Sequence, residues 1–130
     1  MNKYTKWFRI ALWLGVILDL LLALPGILFP NTMLRLLHLR PSTDIVWTAT
    51  ASILTVVLAL MYTTANDPIL HRRAAWNAVI SRGLCATFFL LLWPGYYASF
   101  GLMDLFFFIV QGWSLRLTLQ VYDRHTSSTP

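Results

Sequence analysis

Four apolar segments, each about long enough to cross a bilayer, take up most of this sequence. They cover residues 7–29, 45–62, 74–93 and 97–117. A helix needs roughly 20 mainly apolar residues to cross the hydrocarbon core. Apolar residues make up 58% of the chain and charged residues 12%, against roughly 45–50% and about 25% in soluble domains. Because a small soluble domain cannot bury so much apolar surface, the sequence predicts an integral membrane protein.

Turn signals separate the four segments, at Pro30-Asn31, Asn66-Asp67-Pro68 and Trp93-Pro94-Gly95. Proline and asparagine pairs of this kind are typical of turns and loops. Aspartate followed by proline is also typical of an N-cap and the first residue of a helix. Asp67 is therefore expected to cap a helix whose first residue is Pro68.

The segment 31–40 is too short to cross the membrane. It alternates leucine with basic residues, including Arg35 and Arg40, which predicts a short helix lying flat in the outer interface. Residues 123–130 are polar and predict a flexible tail. The predicted fold is all-α, with residues 1–122 forming one antiparallel bundle of four membrane helices plus the interfacial helix.

Basic residues predict the orientation of the bundle, because Lys and Arg are enriched in cytoplasmic loops. With both termini inside, the cytoplasmic set is Lys3, Lys6, Arg9, Arg72, Arg73, Arg116 and Arg124. The outer set is only Arg35 and Arg40. We therefore expect cytoplasmic termini in a bacterial inner membrane. The first span carries Asp19 and lacks a small-residue cleavage site, which favours a retained helix over a signal peptide.

Three ionisable side chains lie inside the spans: Asp19, Arg82 and Asp104. A charge at the bilayer centre costs about 2.5–3.5 kcal/mol on insertion scales, so three separate charges facing lipid would be very unfavourable. A guanidinium has five donors and can serve two carboxylates. The sequence therefore predicts one buried cluster with Arg82 between the acids. The cluster is either a structural salt bridge that fixes helix pairing or a proton relay or cation-sensitive site.

Small and polar residues recur at helical spacing beside these charges. The second span carries Thr48, Ser52 and Thr55 on one face, and Gln111 shares a face with Asp104 on the fourth. In membranes, small residues allow close helix approach and polar residues bond across the contact. We therefore expect the four polar faces to meet in the bundle interior, with Leu and Phe directed towards lipid.

The sequence carries no arrangement typical of an enzyme or a metal site. There is no nucleophile near a base and no phosphate loop, and the single cysteine, Cys85, has no metal-ligand spacing. Basic residues do not combine with aromatics as on nucleic-acid surfaces. We expect no catalysis, metal or nucleic acid. Phe88-Phe89 and the run 106–108 would edge a pocket for a quinone, sterol or acyl chain, although such residues more often only contact lipid.

Three features are shared with a known group of proteins. They are four short spans in about 130 residues, FPNTMLRLLHL (residues 29–39) after the first span, and the arginine within ISRGLCATFF (residues 80–89) in the third. In these features the chain resembles the DoxX-like small four-helix bacterial membrane proteins. Some members are linked to membrane redox complexes as partner subunits. The resemblance therefore implies an accessory role, and it supplies no catalytic residues.

Three hypotheses for function remain open at this point. The first is a non-enzymatic subunit that packs against another membrane protein or itself, with lipid or a hydrophobic ligand such as a quinone held between its helices. The second is a small oligomeric transporter or channel that uses the Asp19–Arg82–Asp104 cluster. The third is an enzyme acting on a lipid-soluble substrate within the bundle.

Overall fold

The structure, a computed structural model, describes residues 2–92, 95 and 97–128, and every regular element in that part of the chain is helical. Four long helices follow the four apolar segments, and one short helix follows the first. They are α1 (Lys3–Leu28), α2 (Pro30–Leu36), α3 (Ile45–Thr63), α4 (Arg72–Thr87) and α5 (Ala98–Ser127). A 3₁₀ turn, Thr64–Asn66, extends α3, and a π-helical turn, Phe88–Leu92, extends α4. With these turns, all four long segments are long and apolar enough to cross a membrane, which confirms the all-α membrane bundle.

The helices pack in the order α3, α1, α5, α4. Helix α1 lies between α3 and α5, and α5 also packs along α4. By contrast, α3 and α4 are barely in contact with each other, although they are consecutive spans. The bundle therefore has one open seam, between α3 and α4.

Apolar packing fills only one half of the bundle. The buried core joins Phe8 and Leu12 of α1 to Tyr62 of α3, Val79 of α4 and Leu115 of α5. This half contains the starts of α1 and α4 and the ends of α3 and α5, and we call it the basic end because it carries most of the Lys and Arg residues. The opposite half, which carries α2, is called the α2 end.

Polar contacts link the helices at the basic end. Arg9 Nε donates to the backbone carbonyl of Asn66 over 2.7 Å, and the indole nitrogen of Trp13 donates to the Asn66 side chain over 3.0 Å. Arg72 at the start of α4 pairs with Asp123 near the end of α5, with 2.7 Å between Nη2 and Oδ2. These contacts hold the chain connection after α3 against α1 and tie α4 to α5.

Helix α2 covers Pro30–Leu36 and is shorter than the predicted 31–40, because its end is closed by a Schellman motif. Leu39 N–H donates to Leu34 O over 2.8 Å, and His38 N–H donates to Arg35 O over 3.0 Å. His38 has φ 57°, in the left-handed region that usually requires glycine. The last helical residue is therefore Leu36.

The predicted tail differs from the structure, since residues 123–127 continue α5 to Ser127. No helix-breaking residue interrupts this stretch, and the Asp123 contact with Arg72 fixes its start. Residues 129 and 130 lie outside the described part of the chain, as do Trp93 and Pro94 of the third predicted turn.

Asp67 caps a single turn that precedes α4, and α4 itself begins only at Arg72. The Oδ1 atom of Asp67 accepts hydrogen bonds from the backbone N–H groups of Ile69 and Leu70, each over 3.2 Å. The hydrogen bond from Leu70, with smaller contributions from Ile69 and Arg9, lowers the pKa of Asp67 below its ordinary value. The aspartate-proline pair therefore predicted a cap correctly but placed the start of the helix too early.

Candidate functional site

The structure brings the three charged residues of the spans into one cluster. Arg82 Nη1 donates to Asp19 Oδ1 over 3.1 Å and to Asp104 Oδ1 over 2.6 Å, and Nη2 donates to Asp19 Oδ2. The three residues are only 5–6% exposed. Arg82 therefore bridges α1 and α5 from α4, with a two-pronged contact to Asp19 and a single contact to Asp104.

Neighbouring residues fix the position of the guanidinium. A Cβ added to Gly15 would lie 3.0 Å from Arg82 Nη2, so glycine lets the group come close to α1. The rings of Tyr62 and Phe107 lie 5.3 and 5.4 Å from the guanidinium carbon, within range of a cation–π interaction. Tyr62 is held by a 2.5 Å hydrogen bond to Ser81. The cluster is thus enclosed on the core side.

The hydrogen bonds of the cluster are unevenly distributed. Both oxygens of Asp19 accept from Arg82, whereas Asp104 accepts through Oδ1 alone. Among the described residues, no donor bonds to Asp104 Oδ2. With all three groups ionised, the cluster has one net negative charge, and Asp104 carries the unused acceptor.

A cavity of about 930 Å³ extends from the cluster into the α2 end. It lies along the open seam, and all five helices contribute to its wall. Asp19, Arg82 and Asp104 form its inner end, while Met33 of α2 and Leu37, the residue after α2, contribute at the other. The space exists because the side chains of α3 and α4 do not reach each other beyond the core.

Aromatic side chains form one wall of this cavity. Phe89 lies 5.8 Å from Tyr97 and 6.0 Å from Phe100, and Tyr97 lies 6.3 Å from Phe100, measured between ring centroids. We call these three residues the aromatic wall. Phe88 and Met103 also line the cavity, so most of its surface is apolar.

Three polar residues of α3, Thr48, Ser52 and Thr55, line the cavity. Ser52 Oγ donates to Thr48 O, and Thr55 Oγ1 donates to Ala51 O, both over 2.9 Å and both within α3. The predicted polar face of α3 therefore lies inside the bundle, where Ser52 lies against Gly26 of α1 and all three residues line the same cavity as the charged cluster. Gln111, by contrast, is buried between α5 and α1, where Nε2 donates to Ala11 O over 3.2 Å.

The remaining candidate residues lie apart from this site. Arg35 and Arg40 are exposed at the α2 end, and Arg72 and Arg73 are exposed at the start of α4. The phenylalanine run 106–108 does not line the cavity: Phe107 belongs to the cluster surroundings, and the Phe108 ring packs against Gly83.

Sequence reasoning predicted a pocket edged by Phe88-Phe89, but it did not place the cavity beside the charged cluster or the rings of Tyr62 and Phe107 beside Arg82. Gly15 stands one turn before Asp19 and was a usable signal for close approach. Among the described residues, no group of three His, Cys, Asp or Glu side chains is placed to hold a metal ion. No protein-family model, curated protein or solved structure matches this chain. Function is therefore argued from the site, and the DoxX-like resemblance stays a prediction.

Proposed function

We propose that this protein binds a lipid-soluble ligand in the cavity between α3 and α4. The observation that carries the proposal is the cavity of about 930 Å³ with the charged cluster at its inner end. Ligand sites in proteins are typically about 300–1,000 Å³ in volume, with mainly apolar walls and a few convergent polar groups. The cavity has this combination of size, aromatic lining and buried polar groups.

The cavity suits a ligand with an apolar body and one polar end. The body would contact the aromatic wall, Phe88 and Met103, and the polar end would lie at Asp104 and Arg82. A quinone, a sterol or a molecule with an acyl chain has this combination of an apolar body and a polar end. Among the described residues that line the cavity, none is arranged as a nucleophile with a base, and the role that we propose is binding.

The alternative role as a transporter or channel requires a path through both halves of the bundle. Phe8, Leu12 and Leu115 are almost fully buried in the core of the basic end, and they close that half. The arrangement therefore favours a binding site that opens towards one half only.

A second candidate role is that of an accessory subunit, and the burial of α3 favours it. Only 11% of the most apolar window of the α3 segment is buried, against 39% for α1. A helix that packs on one side only leaves a broad apolar face for lipid, for another membrane protein or for a second copy of the chain. This role is compatible with ligand binding.

We further propose a bacterial inner membrane location with both termini in the cytoplasm. The support is the excess of Lys and Arg at the basic end, where α1 begins and α5 ends. Kinship with DoxX-like proteins is proposed on the shared sequence features alone. Reporter fusions to the two termini test the topology. If a reporter that functions only outside the cytoplasm is active at either terminus, the topology is contradicted.

Small-molecule analysis of the purified protein tests ligand binding. Thr55 lines the cavity, whereas the neighbouring Leu54 is 58% exposed on the outer surface. We expect wild type and Leu54→Trp to retain a lipid-soluble compound through gentle detergent purification, and Thr55→Trp to lose most of it because the indole occupies part of the cavity. Equal retention by all three proteins, or none by any, would contradict the proposal.

Native mass measurement of the same preparations tests the subunit role. A different membrane protein that comes along with the chain, or a defined homo-oligomer, is the expected result. A monomer under the gentlest extraction that still preserves helical content would argue against that role.

A further inference from the structure

We propose that the ligand of this cavity is a lipophilic organic cation, bound with its positive centre beside Asp104. The inference rests on the proposed function and adds the chemical class of the ligand. It is carried by two independent features, the unused acceptor of the buried cluster and the aromatic wall.

The charge balance at the inner end favours a cation. Asp19 and Arg82 neutralise each other through two hydrogen bonds, which leaves the charge of Asp104 only partly compensated. Among the described residues that line the cavity, these three are the ones with a formal charge. Electrostatic attraction is stronger in a low-dielectric interior than in water, so a positive centre at this place is favoured and an anion is repelled.

Asp104 lines the cavity and has one carboxylate oxygen that accepts no hydrogen bond from the described residues. Asp104 is 6% exposed, lines the cavity and uses Oδ1 for Arg82. Oδ2 is left as an acceptor for the N–H of a protonated amine, or as the counter-charge of a quaternary centre. A cationic ligand would give this oxygen a partner in a low-dielectric site.

The aromatic wall supplies the second feature. Phe89, Tyr97 and Phe100 contact one another along the cavity, and ring faces attract cations, as in the aromatic cages that bind quaternary ammonium groups. The combination of rings and a carboxylate is therefore suited to a cation with a bulky apolar body.

The depth of the cluster separates a small organic cation from a phospholipid headgroup. Arg82 lies near the middle of the membrane segment Arg72–Leu92, whereas a phospholipid carries its ammonium group at the interface. A lipid would place its chains, and not its headgroup, at this depth. We therefore infer a discrete lipophilic cation.

Two ions of equal size and opposite charge test the inference. Tetraphenylphosphonium and tetraphenylborate are matched in shape and apolar surface. The chain has one cysteine, Cys85, which lines the cavity, so its alkylation by a maleimide reports occupancy. We expect tetraphenylphosphonium to slow alkylation of the full chain in lipid nanodiscs, and tetraphenylborate to leave the rate unchanged.

Variants at Asp104 test whether the charge of this residue attracts the cation. Asp104→Asn keeps an acceptor for Arg82 and removes the charge, and it should weaken tetraphenylphosphonium binding about 10- to 100-fold. Asp104→Glu should restore binding, and Asp123→Asn, at the basic end, should leave it unchanged. If Asp104→Asn does not fold, Phe100→Leu removes one ring and should weaken binding about 3- to 30-fold.

The possible outcomes separate the two proposals. Equal protection by both ions, or protection that Asp104→Asn leaves unchanged, would overturn the cation inference while keeping the cavity as a binding site. Protection by neither ion, together with a copurified neutral compound that Thr55→Trp excludes, would do the same. Protection by neither ion with no retained compound would overturn both proposals.

Discussion

Replacing Arg82 by leucine tests whether one guanidinium makes two carboxylates tolerable within the membrane. Leucine keeps apolar bulk on α4 but removes three hydrogen bonds to charged acceptors. Bonds of this kind contribute about 1.5–3 kcal/mol each, and the desolvation of the ions offsets part of that sum. Removing one partner of a buried ion pair costs about 3–5 kcal/mol, so we expect Arg82→Leu to lower the free energy of unfolding by that amount.

Unfolding by sodium dodecyl sulfate in mixed micelles provides the measurement, followed by far-ultraviolet circular dichroism. Arg116→Leu is the control, because Arg116 is exposed on α5 and its loss should change the free energy by less than about 0.5 kcal/mol. The decisive protein combines Arg82→Leu with Asp19→Asn and Asp104→Asn. It should regain most of the lost stability, since the uncompensated charges are gone.

The two aspartates should also differ from each other. Asp19 accepts two hydrogen bonds from Arg82 and Asp104 accepts one, so Asp19→Asn should destabilise the protein more than Asp104→Asn does. The reasoning fails if Arg82→Leu behaves like Arg116→Leu, or if neutralising both acids leaves Arg82→Leu as unstable as before.

Three further predictions concern single positions. Gly15→Ala places a methyl group 3.0 Å from Arg82 Nη2 and should cost about 1–3 kcal/mol in the same unfolding assay, while Gly95→Ala, whose Cβ meets nothing within 4 Å, should be nearly neutral; equal effects would refute the close approach. His38→Gly relieves the left-handed backbone and should stabilise the protein by about 1 kcal/mol, and a loss of stability would contradict the Schellman assignment. The hydrogen bond from Leu70 holds the pKa of Asp67 in the folded protein below its ordinary value. The ionised side chain therefore stabilises the fold when the pH is above the ordinary pKa, and this contribution is lost as the pH falls through the lowered pKa of the folded protein. Asp67→Asn should therefore flatten the change in melting temperature between about pH 6 and about pH 3, and an unchanged slope would exclude this group.

The spans and the charged cluster follow from the sequence because one strong energy term governs each. The hydrocarbon thickness sets the length of an apolar helix, and the segment predicted as 45–62 agrees with α3 to within one residue. Asp19 and Arg82 had to find partners, because an isolated charge in lipid is too costly. For this prediction it was enough to know which face of its helix each charge occupies.

The position and volume of the cavity did not follow from the sequence, because they depend on the combined volume of side chains from several helices. The spacing of Thr48, Ser52 and Thr55 correctly marks one face of α3. Whether another helix packs against that face depends on the distance between α3 and α4. The spacing of polar residues in the sequence does not indicate that distance. Helix ends were also missed where backbone geometry decides them, as at His38.

The wide separation of Asp19 and Arg82 along the chain has a consequence for biosynthesis. Their contact joins residues 63 positions apart, so α1 enters the bilayer while its counter-ion is still on the ribosome. The α1 segment has a mean hydropathy of 2.3 in its most apolar window, against 1.5 for the α4 segment and 1.4 for α5. The high hydropathy of α1 thus favours its insertion even while Asp19 has no counter-ion. The more polar helices α4 and α5 are synthesised later, when Asp19 is available to pair with Arg82.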